Sequence, residues 1–465
     1  MLVRAAGMLG MLACLAGSAL AGCGGSPEPL SSAPLPPAPA PAWSEVHLPD
    51  AGAGVVIGDL RRCGSRWYAA GALLDTDGAT TPALWTSDDG RGWRPLPTAP
   101  VSYYGHRQVL YSLACGNSGL AALGQKNGGQ HGVPRISSWR SVGSSGGSSG
   151  GSSGGADGPL TEIPGPSELY GGPRAMTVAG IAAGPSGWLV AGNRVGPTGR
   201  ATATVWRSPD AAAFVEDAAA PGLASTDLGD TTARGVTAGR SGWYVFGDLG
   251  PPGTLTREAA VWSSSDGRTW TQVGLPRTPE DASITALAVE GAGGGSGGDS
   301  DGSAGGGSGP GGGSGGDRML AMGTLALAPH AWSYDGSAWS DAGGFEADAR
   351  PGTGVPRVGE VTVQEGQAYA AVDSGSRWAL WHSPDLHRWQ PVPTPAQPPT
   401  GADNRLLLAA SGELLILAAT QDSGATEPGV PNPDATNPGA PDPGATNPTG
   451  TGRAAGSRLW VAPRR

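Results

Sequence analysis

The chain has 465 residues, a formal net charge of −10, 82 Gly and 43 Pro. The acidic balance argues against a nucleic-acid binder, because a phosphate backbone is neutralised by a basic surface. Gly and Pro make up more than a quarter of the chain, which argues against long helices, because both residues are poor helix formers.

The first 22 residues have the pattern of an export signal. Arg4 supplies a positive start, and residues 5–20 form an apolar run that is short for a membrane span. The run ends in Leu-Ala-Gly-Cys at residues 20–23, which resembles the lipobox of bacterial lipoproteins. The resemblance implies a signal peptide over 1–22 and a mature N-terminus at Cys23 carrying acyl chains, palmitate among them. The alternative is an ordinary secretory signal followed by a chance Cys.

Residues 23–42 join the expected lipidated Cys23 to the rest of the chain. The segment is rich in Pro, Ala and Ser, a composition that favours extended polyproline II at about 3.1 Å per residue. We expect a linker that lifts a domain off the membrane. The expected location is the extracytoplasmic face of the cell membrane, with attachment through the N-terminal lipid.

A repeated unit fills the remainder, residues 43–465. Each copy is centred on a Trp within a short apolar run, and two further apolar runs usually precede it; the seven Trp are Trp85, Trp139, Trp206, Trp262, Trp332, Trp381 and Trp460. The runs have strand lengths and are bounded by Gly, Ser, Pro or Asp. A strand after the Asp turn completes four strands per unit. Trp332 lies one residue closer to its Asp and is predicted to be out of register by one.

Three low-complexity tracts interrupt the repeat at 143–158, 291–317 and 421–456. Their Gly, Ser, Pro and Asn residues cannot bury enough apolar surface to fold, so we predict disordered surface insertions. The rest of the chain gives about 49 residues per unit, near the size of a four-stranded propeller blade. The sequence therefore predicts an all-β, seven-bladed β-propeller.

The two ends of the repeat region complement each other. Residues 43–49 match the fourth strand of other units, whereas the chain ends on a third strand around Trp460. We predict that the N-terminal strand completes the last blade, because this pairing removes a free sheet edge and closes the ring.

The turn Ser-x-Asp-Gly-x-x-Trp occurs at 87–93, 264–270 and 333–339, and copies at 208–214 and 383–389 lack its Gly. It resembles the Asp box of bacterial neuraminidase (BNR) repeats, and so implies a sialidase-like propeller. In that family the boxes are structural and lie opposite the ligand site. We accordingly interpret their Asp residues as turn residues that cap backbone N–H groups; these are Asp89, Asp210, Asp266, Asp335 and Asp385.

Arg107, Arg174 and Arg357 each precede the first strand of a unit, and Arg234 and Arg405 lie nearby in theirs. By analogy with propellers, the starts of these strands surround the usual ligand mouth, where guanidinium groups would hold a carboxylate or phosphate. Tyr103, Tyr104 and Tyr170 are candidates for the rim. The alternative is that each Arg is a solvated charge paired with a local carboxylate.

The remaining chemistry is sparse. Cys63 and Cys115 end equivalent strands of units one and two; export favours a disulfide, whereas a sheet spacing of about 10 Å opposes it, and the question stays open. The six His are scattered along the chain, and only His382 and His387 lie close together, five residues apart on either side of a tight turn, which is not a known metal-ligand spacing, so no metal site is expected. No Gly-rich stretch has the Lys-Ser/Thr ending of a phosphate loop, no Gly-x-Ser-x-Gly elbow lies in a strand-turn-helix context, and no cofactor is expected.

The sequence favours a membrane-anchored, non-catalytic binding or scaffold module, which we expect to be a monomer. The expected partner is an envelope protein or a carbohydrate. The alternative is a sialidase-like glycoside hydrolase acting on anionic sugars. A third possibility is an assembly factor resembling the Asp-box propellers that help to build photosynthetic complexes.

Overall fold

The computed structural model describes residues 38–49, 54–116, 119–127, 134–141, 158–290, 316–347, 354–401, 404–420 and 456–464. The predicted signal peptide, Cys23, most of the 23–42 linker and nearly all of the three predicted insertions lie outside these residues. Across the described ranges, no helix is long and apolar enough to cross a membrane.

Seven small antiparallel sheets account for the fold, and each is built mainly by consecutive strands. The chain begins with β1 (Ser44–Val46). Blade I holds β2 (Gly54–Cys63), β3 (Arg66–Leu74), β4 (Thr80–Ser87) and β5 (Arg94–Leu96). A short strand β6 (Thr98–Ala99) and a 3₁₀ turn (Gly105–Arg107) lead to blade II, which holds β7 (Val109–Gly116), β8 (Gly119–Lys126), β9 (Arg135–Arg140) and β10 (Leu160–Ile163). Blade III holds β11 (Ala175–Gly184), β12 (Gly187–Val195), β13 (Ala201–Ser208) and β14 (Val215–Asp217).

The second half repeats the same order. Blade IV holds β15 (Asp230–Ala238), β16 (Trp243–Gly250), β17 (Glu258–Ser264) and β18 (Thr271–Val273). Blade V holds β19 (Ala282–Val289), β20 (Met319–Leu325), β21 (Ala328–Tyr334) and β22 (Trp339–Gly344). Blade VI holds β23 (Arg357–Gln364), β24 (Gln367–Asp373), β25 (Trp378–Ser383) and β26 (Gln390–Val392). Blade VII holds β27 (Arg405–Ala410), β28 (Leu414–Thr420) and β29 (Arg458–Pro463), with β1 as its fourth strand.

The ring is closed by joining the two ends of the chain. β1 pairs antiparallel with β29 and places Glu45 opposite Trp460. The Arg458 guanidinium donates two hydrogen bonds to the Glu45 carboxylate, at 2.8 and 2.6 Å. Trp43 packs in the same apolar cluster as Trp460. The predicted seven-bladed propeller with an N-terminal closing strand is confirmed.

Blade II departs from the four-strand expectation. β6 pairs in parallel with β10, so this sheet has five strands. The segment that leaves blade I thus lies along the outer edge of blade II before it turns inward.

The core lies between neighbouring blades and is centred on the repeated Trp. Trp85 is 1 % exposed and packs with Leu60 of its own blade and Ile416 of blade VII. Trp332, expected to be out of register, lies opposite Ala321 as Trp85 lies opposite Ala69. The predicted shift of Trp332 is wrong: this copy of the repeat is one residue shorter than the others, but the shortening falls after Trp332, in the turn that follows, so Trp332 itself stays in register.

The Asp turns are held by the carboxylate itself. Asp89 Oδ1 accepts the N–H groups of Arg91 and Gly92 at 2.8 and 2.7 Å, and these bonds lower the pKa of Asp89. The residue after the Asp is left-handed in the first copy, where Gly90 has φ 71°. The two copies without Gly keep this geometry, with Ala211 at φ 59° and Leu386 at φ 66°. The turn therefore imposes a conformation that L-residues reach only at a cost.

The topology gives the wheel two distinct faces. The mouth face is the one where the innermost strands β2, β7, β11, β15, β19, β23 and β27 begin; the turn face is where they end and where the Asp turns lie. Cys63 and Cys115 lie at the turn-face ends of β2 and β7 and form a disulfide with Cα atoms 5.9 Å apart. This bond ties blade I to blade II where their innermost strands finish.

Candidate ligand site at the axial mouth

A cavity of about 360 Å³ opens on the mouth face around the axis of the wheel. A second cavity of about 330 Å³ lies further along the same innermost strands and shares lining residues with the first. The first cavity, at the mouth, is lined by four guanidinium groups and two carboxylates, namely Arg61, Arg234, Arg357, Arg405, Asp59 and Glu360. Cationic groups from blades I, IV, VI and VII thus meet at one opening.

Bulges in the innermost strands shape this opening. In blades I to VI each innermost strand shifts register against its neighbour at an equivalent point, as between Ile57 and Asp59 in β2. A bulge inserts one residue and re-aims the side chains around it. In blade IV the inserted residue is Arg234, so the bulge itself turns a guanidinium toward the axis.

Arg357 is the Arg of this cavity whose guanidinium is held by the most contacts. Its Nε donates to Asp373 Oδ2 at 3.1 Å and its Nη2 to the Gly401 carbonyl at 2.9 Å. The guanidinium lies over the ring of buried Trp378, 5.2 Å from the centroid. Asp373 is 1 % exposed and lies behind the Arg. Arg357 is thereby held in one orientation while nearly half of its side chain stays exposed.

Arg234 has an equivalent arrangement in blade IV. Its Nε donates to Asp248 Oδ2 at 3.0 Å, and Arg257 pairs with the other oxygen of that carboxylate. Asp248 is completely buried, whereas the Arg234 side chain is 42 % exposed. A buried carboxylate flanked by two guanidiniums fixes both of them, because leaving it unpaired would be costly.

Arg61 and Asp59 join blade I to blade II. Asp59 is buried, and its Oδ2 accepts the Leu113 N–H at 2.6 Å. Burial raises the pKa of Asp59, and this carboxylate in turn raises the pKa of Arg61. The Arg61 Nε lies 3.3 Å from both Asp59 Oδ1 and the Leu113 carbonyl.

Glu360 and Arg405 complete the mouth between blades VI and VII. Glu360 Oε2 accepts the Leu408 N–H at 2.6 Å. Burial raises the pKa of Glu360 to about 7, although the charges of Arg61 and Arg405 act in the opposite direction. Arg405 is half-buried, and in the described part of the chain no hydrogen bond from its guanidinium is found. Its donors are therefore available to a ligand.

Of the five Arg that the sequence placed near the starts of innermost strands, Arg234, Arg357 and Arg405 line this cavity, whereas Arg107, Arg174 and the three candidate Tyr do not. Arg107 lies on the 3₁₀ turn and stacks on Tyr103, 4.3 Å from the ring centroid. Tyr104 lies beside it, with its ring 5.3 Å from that of Tyr103. Both Tyr are exposed on the mouth face, away from the axis.

Arg174 and Tyr170 belong to blade III. Arg174 pairs with Glu216 of the outermost strand at 3.3 Å, which is the local pairing considered as the alternative. Tyr170 is 6 % exposed and packs on Trp206, so it lies in the core. Arg61 was not predicted from the sequence to bind a ligand. The charged pair Asp59 and Arg61, inside the otherwise apolar run of β2, could have indicated it.

The described residues contain no group of three or more His, Cys, Asp or Glu side chains able to hold a metal ion.

No protein-family model and no curated protein matches the chain. Among solved structures it is similar to the propeller domain of the trilobed protease of Pyrococcus furiosus, described as having an open velcro topology, at 11 % identity and TM-score 0.42 over 79 % of this chain and 91 % of that one. It is also similar to the six-bladed fucose-binding lectin of Aleuria aurantia, at 12 % identity and TM-score 0.37 over 72 % and 95 %.

Proposed function

We propose that the protein is a non-catalytic binding module, attached to the outer side of a bacterial membrane through lipid on Cys23, whose axial mouth holds an anionic group of its ligand. The observation that carries the proposal is the convergence of Arg61, Arg234, Arg357 and Arg405 on one cavity. Guanidinium groups bind carboxylate and phosphate oxygens in pairs of parallel hydrogen bonds.

The arrangement suits binding because two of the Arg are fixed before a ligand arrives. Arg234 and Arg357 are anchored through Nε to buried carboxylates. An anchored side chain loses little rotamer freedom when it binds, so more of the interaction energy becomes affinity. Arg405 supplies donors that no described group occupies.

Calorimetric titration with N-acetylneuraminate, galacturonate and inorganic phosphate tests the proposal. We expect at least one of these anions to bind, and Arg405→Gln to weaken its affinity by about tenfold. Arg107→Gln is the matched control, since it removes one exposed guanidinium from the same face but outside the cavity. Binding of none of these anions, or equal loss in both variants, would refute the assignment of the cavity.

One observation favours the hydrolase as a second candidate. Asp59 and Glu360 line the same mouth, and a carboxyl group whose pKa lies near 7 is suited to act as a general acid. Against this, each carboxylate already accepts an N–H of the next blade. Release of 4-methylumbelliferone from its sialic acid or glucuronic acid glycoside, and its loss in Glu360→Gln, would establish the hydrolase and exclude the binding module.

The anchor is tested separately. Cells fed an alkyne fatty acid should incorporate it into this protein, and Cys23→Ser should abolish the label. Label retained in C23S would show that Cys23 is not the lipid site.

A further inference from the structure

The exposed apolar side chains of the molecule are distributed unequally between its two faces. Nine large apolar residues are exposed in the described ranges; they are Val101, Tyr103, Tyr104, Met176, Val215, Leu228, Leu255, Leu327 and Val355. All except Val215 lie where an innermost strand begins or where a second strand turns into a third. Both kinds of connection are on the mouth face, so this face carries eight of the nine.

Hydrogen bonds hold the connections that present these side chains. Glu162 accepts the N–H groups of Val101 and Ser102, both at 2.7 Å, and so holds the loop that carries Tyr103. The fully exposed Leu255 lies in a loop in which Thr254 Oγ1 donates to the Pro251 carbonyl. A loop whose backbone is already held loses little conformational entropy when it binds a partner.

Leu327 is exposed on a strained two-residue turn of the mouth face. It is 58 % exposed, and Ala326 and Leu327, which form the two-residue turn between β20 and β21, have positive φ of 49° and 66°. Such turns usually contain Asn and Gly, because these residues tolerate the left-handed region. A branched, apolar residue there is strained, and its exposure leaves that strain without compensating burial.

We propose that the mouth face docks a protein whose contact segment combines carboxylates with aliphatic or aromatic side chains. The inference rests on the proposed function, because the carboxylates would enter the Arg-lined cavity while the apolar side chains cover the surrounding loops. A concentration of exposed large apolar side chains on one face of a protein marks an interaction surface.

The composition of the face favours a protein over a carbohydrate or a lipid surface. Six of the eight side chains are aliphatic or Met and two are Tyr, whereas carbohydrate rings stack on aromatic faces. The net charge of −10 opposes an anionic bilayer. The Ala38 N–H donates to the Pro391 carbonyl on the outer strand of blade VI, so the described stretch that begins at Ala38 lies along the rim of that blade.

Selection of displayed random dodecapeptides on the full lipidated protein, held in nanodiscs of zwitterionic phospholipid, tests the inference. We expect enriched peptides that combine Asp or Glu with Leu, Ile, Phe or Trp. The double variant Leu228→Ser and Leu255→Ser should weaken the best peptide by at least tenfold. Val215→Ser is the control, as it removes a comparably exposed apolar side chain from the turn face.

The outcomes separate this inference from the proposed function. If small anions bind in an Arg405-dependent way but no peptide is enriched, or if L228S/L255S binds the peptides unchanged, the docking surface is refuted and the anion site stands. If peptides are enriched without acidic residues and small anions do not bind, the anion site is refuted, and with it the acidic part of the proposed partner.

Discussion

Replacing Glu360 by Gln should change how the stability of the protein depends on pH. The Glu360 carboxyl has a pKa of about 7 in the folded protein, against 4.5 for the unconstrained group. Between these values the folded state holds a proton that the unfolded state has released. Because unfolding then releases a proton, the free energy of unfolding falls as pH rises through this window.

The size of the effect follows from the two pKa values. Each unit of difference corresponds to about 1.4 kcal/mol, so Glu360 lowers the free energy of unfolding by about 3 kcal/mol as pH rises from 4.5 to 7. Gln cannot ionise, yet its amide oxygen can still accept the Leu408 N–H. E360Q should match the parent protein below pH 4.5 and exceed it at pH about 8.

Urea unfolding followed by Trp fluorescence at pH values from about 4.5 to about 8 measures the difference between the two proteins. Taking the difference removes contributions from groups that both proteins share, such as His382, whose pKa is lowered by burial. Glu413→Gln, at an exposed position of blade VII, is the control and should show no change. Parallel pH profiles for E360Q and the parent would refute the buried, proton-holding environment assigned to Glu360.

Three further predictions concern the scaffold. The double variant Cys63→Ala and Cys115→Ala should lower the free energy of unfolding by about 4 kcal/mol, because the disulfide closes a loop of 52 residues and so restricts the unfolded chain. Urea unfolding measures this change, and an unchanged midpoint would contradict the prediction. Gly90→Ala should lower the free energy of unfolding by about 1 kcal/mol, because Ala reaches the left-handed region only at a cost; thermal melts of the variant and the parent check it, and an unchanged melting temperature would contradict it. Glu45→Gln should lower the free energy of unfolding by less than about 1 kcal/mol, because its ion pair with Arg458 is solvent-accessible. Trp460→Ala should lower it by about 3–5 kcal/mol, because it removes a large buried side chain. A larger effect of E45Q than of W460A would show that the ion pair, and not packing, closes the ring.

The architecture could be predicted from the sequence because it depends on local, repeated signals. Trp85 and its six equivalents mark the third strand of every blade, and the Gly and Asp residues around them mark the turns. The unmatched strand at residues 43–49 and the final strand at Trp460 predicted how the ring closes. Each of these signals involves a few consecutive residues, and a repeat shows the same signal several times.

The site depended on tertiary structure, because it is assembled from side chains that only the ring brings together. Arg61 and Arg405 are far apart in the chain and meet only when blades I and VII close on each other. The position of a residue before a strand did not reveal whether it faces the axis: Arg357 does, whereas Arg174 pairs with Glu216 and Tyr170 is buried. In blade IV a bulge decides this orientation, because Arg234 is the inserted residue, and the local pattern carries no sign of it. The sequence alone therefore determined the number and order of the blades, whereas closure of the ring, which brings side chains of blades I, IV, VI and VII to one opening, determined which charges line the mouth.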